Sequence, residues 1–216
     1  GLSYWGGVFA SPPSSLDLPL DGVRGALRSH AASTIHRELP PEFLDSLRTL
    51  ARAQGCTLFN LLLAGFQCLL AKLSGQSDIV VGIPAAGQAH LGVDAVGYCV
   101  NALPIRAHAE EDKPFSRFLR ETRTALLDAM EHQDIGIGEL ARQLRLSRTP
   151  DRLALTEVFF NYSGYLSDVR LGGCRLVAHE NPRGATFYDM FLHVVESGGC
   201  LILDWDYNTA LFEAPT

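Results

Sequence analysis

The 216 residues are 47% hydrophobic and 19% charged, a composition that buries about 70% of its unfolded surface and folds without staples. Lys and Arg number 18 against 24 Asp and Glu, for a formal net charge of −6, and their scatter excludes the basic footprint of a nucleic-acid or anionic-membrane binder. Cys56, Cys68, Cys99, Cys174 and Cys200 form no C-x-x-C pair and read as reduced, buried thiols of a cytosolic protein.

Residues 1–31, punctuated by "SPPSSLDLPLDG", read as an extended connector rather than a packed element. "STIHREL" (33–39) alternates like a strand. From Pro40 the period lengthens: Phe43 or Leu44, Leu47, Leu50 and Ala51 share one helical face, with Pro at the start and Gly55 past the end. Thr57 is the N-cap of a second helix, Leu58 to Leu73, apolar nearly all round and so expected between layers. It contains Asn60 and Gln67 and lacks the roughly 20 unbroken apolar residues of a membrane span.

"DIVVGIPAA" is a β-branched run suited to a buried strand, and "AVGYCVNALPIR" (95–106) follows a Gly-rich loop as a second one. In "PFSRFLRETRTALLDAMEHQ", Phe115, Phe118, Leu119, Thr122, Leu126, Ala129 and Met130 form one face of an amphipathic helix. A short helix spans Ile137 to Leu146, and "LTEVFFNYS" is a strand. "VRLGGCRLVAH", "TFYDMFLHVVE" and "CLILDWDYN" read as antiparallel strands, the last two joined at Gly198 and Gly199. Helices interleaved with strands predict an α/β sandwich, one large mixed sheet covered by helices.

No catalytic constellation is complete within the chain. "VGIPAAGQ" has neither dinucleotide nor P-loop spacing, and a tight strand exit explains its glycines. Asp204 and Asp206, two apart on a strand, share a face as an acid/base pair would, but a solvated outer face is the simpler expectation. The seven His include no H-E-x-x-H, so no metal site is expected. Ser163, Ser167 and Ser197 lie in no G-x-S-x-G elbow. Two residues remain unexplained by packing alone. His132 sits where a helix C-terminus would stabilise an imidazolium, or where it simply caps the helix. Arg106 closes an apolar strand and needs a carboxylate if buried, while the nearest acids in sequence, Glu110 and Glu111, read as loop residues.

Together, "YW" near the start, "TLFNLLLAGFQCLLAKLSGQSDIVVGIPAAGQ", "VGYCVNALPIR", "HQD" and "LDWDYNTALF" resemble, in order and spacing, the C-terminal half of a nonribosomal peptide synthetase condensation domain. The resemblance covers the chain from Tyr4 onward. It implies a chloramphenicol acetyltransferase-like α/β sandwich, here a single lobe: residues 1–31 as the connector from the missing N-terminal lobe and 32–216 as the C-terminal lobe. The family joins an acyl or peptidyl thioester on one carrier protein to the amine of an aminoacyl group on another. Its catalytic motif, His-His-x-x-x-Asp-Gly, is absent from these residues, so no catalytic residue is assigned here and the chain alone is expected to be inactive.

The resemblance implies further that Tyr98, Asn101, Arg106, Asn161 and Ser163 line the active-site tunnel or the contact between lobes. Arg106 would then pair with the catalytic motif's Asp or order the tunnel wall, and would lack its natural carboxylate here. Gln88, His132, Gln133 and Asp134 match family motifs. Gln88 stands where many relatives carry Arg, Ala102 replaces the commoner Thr, and Gly136 and Ile137 replace an aromatic and a Pro, so that the loop after "HQD" is expected to sit differently. The implied partners are the N-terminal lobe and the donor and acceptor carrier domains, whose phosphopantetheine arms are the only cofactor, with no nucleic acid or membrane. Strands near "FYDMF" would cross to the other lobe as floor and latch, or pair two copies into a homodimer. An epimerisation, heterocyclisation or ester-forming relative stays open, as does a non-catalytic carrier-docking module.

Overall fold

A computed structural model describes residues 1–87, 97, 99–146, 149–164, 170–175 and 183–215. Helices form where an apolar face meets a start signal. Helix α1 (Leu2–Val8) is short and holds Gly6 and Gly7; it is held by packing, with Trp5 buried and its indole Nε1 donating to the His132 carbonyl at 3.0 Å. Strand β1 (Ala32–Leu39) precedes α2 (Pro41–Ala53), which opens on Pro40 and buries Leu44 and Ala51 while Phe43 and Leu50 stay exposed. Helix α3 (Leu58–Ser74) starts on a reciprocal cap: Thr57 Oγ1 accepts the Asn60 N–H at 3.2 Å, and Asn60 Oδ1 accepts the Thr57 N–H at 3.1 Å. It ends at Gly75, whose φ of +68° suits a residue without Cβ.

Strands β2 (Asp78–Ala86) and β3 (Val100–His108) lead to α4 (Phe115–Glu131) and α5 (Ile137–Gln143), and then to β4 (Val158–Gly164). A small hairpin, β5 (Arg170–Leu171) and β6 (Cys174–Arg175), stands apart as its own two-stranded sheet. Strands β7 (Met190–Ser197) and β8 (Cys200–Asn208) close the chain. The six-stranded order is β1-β8-β7-β4-β2-β3, with β4 parallel to β2 and β7 and the other neighbours antiparallel. The β7–β8 turn places Gly198 and Gly199 at φ +59° and +82°, the positive pair that a tight hairpin requires.

Helix α3 packs on the sheet through Phe59 and Phe66, whose rings meet Phe160 of β4 at 5.4 and 5.9 Å. Gln67, fully buried, fastens that layer: its Nε2 donates to the Ile105 carbonyl at 3.2 Å, and Thr122 of α4 donates to its Oε1 at 3.2 Å.

Several expectations change. "AVGYCVNALPIR" contributes β3, buried at Leu103 and Ile105 as expected but at the end of the sheet order, which is where Pro104 does least harm to a ladder. Phe115 and Met130 of α4, and Leu69 and Leu73 of α3, are exposed because each faces away from the sheet-facing stripe. None of the cysteines belongs to the buried core: Cys174, in the β5–β6 hairpin, is exposed and the other four are half-buried, all as free thiols.

The connector also departs from expectation. Residues 10–31 hold no helix or strand of three residues, yet they pack. Asp17 N–H donates to Gln76 Oε1 at 2.7 Å, Gln76 Nε2 to the Ser15 carbonyl at 3.1 Å, and Asp21 and Gly22 N–H to the Leu211 carbonyl at 2.9 and 3.1 Å. Leu18 is buried in the core. This segment is a strap along the end of the sheet where β2, β4 and β7 begin, and Pro12, Pro13 and Pro19 lack the N–H that a ladder needs.

Candidate functional site

At the strapped end, Arg106 is buried to 7% side-chain exposure and fully partnered. Its Nε donates to Asp78 Oδ1 at 2.8 Å and its Nη2 to Asp78 Oδ2 at 2.7 Å, a bidentate fork. Its Nη1 donates to the carbonyls of Val8 and Ser11, both at 2.8 Å, and the Phe9 ring lies 5.5 Å from its guanidinium carbon. The expected orphan therefore has a carboxylate within the chain. Antiparallel pairing of β2 with β3 sets Arg106 opposite Val80, one diagonal step from Asp78 on the same face; the pairing that puts Glu110 and Glu111 out of reach is invisible until the two strands are aligned.

Beside Arg106 a depression of about 460 Å³ opens between α1, β3 and α4, with Tyr4, Val8, Pro104, Arg120 and Asp128 on its walls. Burial, helped by Asp128, pushes the Tyr4 phenol up to about 12. Further along the strap, Arg24 forms an ion pair with Asp189 at the start of β7 and donates to the Asp151 carbonyl at 3.3 Å. Glu157 is buried nearby, 3.2 Å from Arg152. Burial, and then the Asp189 charge, push the Glu157 carboxyl above its ordinary range, with Arg152 pulling the other way. Burial opposes the Arg24 charge, but Asp189 outweighs it and raises the guanidinium.

The remaining candidates lie in three places away from Arg106. Asn101, at the start of β3, donates through Nδ2 to the carbonyls of Gln133 and Ile135 at 3.0 and 3.2 Å and accepts the Ala102 N–H at 2.8 Å. It pins the "HQD" loop to the sheet. A Cβ on Gly136 would lie 3.2 Å from Asn101 Oδ1, so the loop's glycine suits this approach. His132 is a plain C-cap whose N–H meets the Ala129 carbonyl at 3.1 Å and whose ring sits 4.5 Å from that of Tyr4. Asp134 lies against Gly1. Gln88 and Tyr98 lie outside the described residues.

Asn161 and Ser163 share the face of β4 that turns away from α3, since Phe160, which alternates with them along the strand, faces the helix. Ser163 Oγ is 2.9 Å from His193 Nε2. On the helix side, Tyr162 donates to Glu196 Oε2 at 2.8 Å, and Glu196 also receives Arg48 of α2; burial and Glu196 push the Tyr162 phenol up to about 12.

Asp204 and Asp206 do share a face, but that face is not solvated: both are buried. His36 Nδ1 contacts Asp204 Oδ1 at 2.6 Å, and Asp206 accepts from Thr34 at 2.5 Å and from Arg183 at 2.7 Å. Edge strand β1 and Arg183 cover them, which alternation along β8 alone does not reveal. Sequence reasoning also missed Asp78, Arg24, Asp189 and His193; strand register would have found Asp78 and His193, while nothing local marks Arg24. Among the described residues no three His, Cys, Asp or Glu side chains converge to hold a metal ion, and no single helix is long and apolar enough to cross a membrane.

The family model described as "Condensation domain" matches residues 2–216. Surfactin synthase subunit 2 of Bacillus subtilis (strain 168) is 35% identical over 215 residues, which are 99% of this chain and 6% of that protein. Among solved structures, the X-domain from teicoplanin biosynthesis superposes with a TM-score of 0.88 at 18% identity, over 99% of this chain and 50% of that one. The first condensation domain of the calcium-dependent antibiotic synthetase, in complex with a substrate analogue, does so with a TM-score of 0.80 at 23% identity, over 99% and 46%. These likenesses give the fold: a mixed six-stranded sheet with helices, as in chloramphenicol acetyltransferase-like condensation domains.

Proposed function

The chain belongs to the condensation-domain family, and from that premise we propose that it is the C-terminal lobe of a domain forming amide bonds in nonribosomal peptide synthesis. One observation carries this reading: nearly the whole chain superposes on a little under half of a condensation-domain chain. On this reading residues 1–31 are the connector from the N-terminal lobe and 32–216 are the second wall of a tunnel. The relative's printed name, a synthase subunit of which this chain spans 6%, supports a place within a much longer assembly.

The lobe's work is positioning. Asn101 holds the "HQD" loop, with Gln133 and Asp134, against the sheet, and Asn161 and Ser163 offer uncharged hydrogen-bonding groups from β4 to a substrate entering beside it. Tyr98 and Gln88 belong to the same tunnel wall by motif. Arg106 has a different part: its fork to Asp78 and its two bonds to the strap support a role in ordering the lobe behind the tunnel. The base or polar group that meets the attacking amine belongs to the His-His-x-x-x-Asp-Gly lobe, so these 216 residues hold substrates without condensing them. Donor and acceptor arrive as thioesters on the phosphopantetheine arms of carrier domains in the cytoplasm. A homodimer through strands near "FYDMF" is not proposed, since β7 is paired on both edges, with β4 and with β8.

The test is expression of the chain with and without the preceding 180 or so residues, followed by an assay for amide formation between loaded carrier proteins. Activity is expected only from the longer protein. Amide formation by the 216 residues alone overturns the half-enzyme reading, and an upstream sequence without His-His-x-x-x-Asp-Gly overturns condensation.

A further inference from the structure

One polar rank crosses the sheet on the face opposite α3. Asn161 of β4 is in register with His193 of β7, His193 with Asp204 of β8, and Asp204 with His36 of β1. The neighbouring rank begins Phe159 and Phe191 and continues through Asp206 to Thr34, so this face is aromatic beside β4 and polar toward β1. Ser163 reaches diagonally into this rank, its Oγ 2.9 Å from His193 Nε2, and both residues are half-buried. His193 itself is gripped between β4 and β8, and its ring stacks at 10° to that of Phe191 with centroids 6.1 Å apart.

A serine hydroxyl on an open strand samples three rotamers and rotates its hydrogen freely. An imidazole at hydrogen-bond distance selects one rotamer and occupies one of the hydroxyl's bonding directions, leaving the others for a ligand. We infer that His193 is a positioning residue that presents the Ser163 hydroxyl to an aminoacyl or N-acylaminoacyl thioester, a substrate with a polar group beside its carbonyl. This rests on the tunnel reading proposed above. A plain alkanoyl thioester has no amine or amide beside its carbonyl for the oriented hydroxyl to meet. Asn161, one register step from His193 on the same face, supplies both donors and acceptors to the same group.

The experiment uses the complete domain and four variants: Ser163→Ala, His193→Phe, His193→Gln and the Ser163→Ala/His193→Phe double. With an aminoacyl substrate, Ser163→Ala and His193→Phe are each expected to lower kcat/KM about five- to tenfold, the loss of one oriented hydrogen bond. The double variant should lose no more than either single one. His193→Gln keeps a donor nitrogen near the hydroxyl and is expected to recover most of the rate, and an alkanoyl substrate should show little effect of any variant. Losses that multiply in the double variant, or that Gln does not relieve while thermal unfolding is unchanged, overturn the inference. A second measurement separates it from the functional reading. In the 15N-labelled protein, Ser163→Ala should shift the His193 ring-nitrogen resonances whether or not amides form. Unshifted resonances overturn the pair even in an active domain, whereas shifted resonances in a domain that forms no amide sustain the pair and remove the tunnel.

Discussion

The two ends of the sheet are built from different chemistry. At the strapped end the polar groups are charged and matched, one partner of each pair being buried: Arg106 with Asp78, Asp189 with Arg24, Glu157 with Arg152. Away from the strap, Asn101, Asn161 and Ser163 are uncharged, half-buried amides and a hydroxyl. A matched buried ion pair resists any change that strands one partner, so it suits a joint that must not open. Amides and hydroxyls cost little to leave solvated and exchange partners readily, which suits a surface that meets a ligand or another lobe. The contrast sets Arg106, paired with Asp78 inside the chain, apart from Asn101, Asn161 and Ser163.

The largest test of that contrast is Arg106→Ala. It leaves Asp78 without its fork and the Val8 and Ser11 carbonyls without a donor, and should cost about 3–5 kcal/mol in denaturant unfolding. Arg106→Lys should recover only part, since an ammonium cannot make the fork. At the other end Asn101→Ala should cost about 1–3 kcal/mol, and amide exchange should quicken at residues 133–136 before it does elsewhere. Ser163→Ala should be milder still, about 0.5–1.5 kcal/mol. A Ser163 variant as damaging as an Arg106 variant would break the comparison.

The smallest expected effect is a slope. Because burial raises the Glu157 carboxyl in the folded state, the fold binds that proton more tightly than the unfolded chain does. The resulting stability is full below the ordinary glutamate range and is lost as pH rises through the raised folded value. Glu157→Gln should therefore gain on the wild type as pH climbs from about 4 to about 7, read as the difference between their thermal midpoints.

Much of this was legible beforehand. The helix faces of α2 and α4, the Thr57 cap, the Gly198–Gly199 turn and the strand runs of β2, β4, β7 and β8 all follow from local periodicity and turn chemistry, which depend on near neighbours in sequence. The family resemblance rested on motif order and agrees with the family match over residues 2–216. What failed were statements about partners. Asp204 and Asp206 read as solvent-facing because alternation gives which residues share a face but not what lies on it. Trp5 and Leu18 read as connector residues because their stretch has no period, although their burial comes from chain far away.

The sequence alone therefore determined the elements other than α1, the family and the set of polar residues needing explanation, since each depends on spacing along the chain. Only the tertiary structure decided who satisfies whom. Arg106 with Asp78 is separated by 28 positions, Ser163 with His193 by 30, and Arg24 with Asp189 by 165. Such pairings are set by strand order and register, and a one-residue change of register would turn every one of these side chains to the other face.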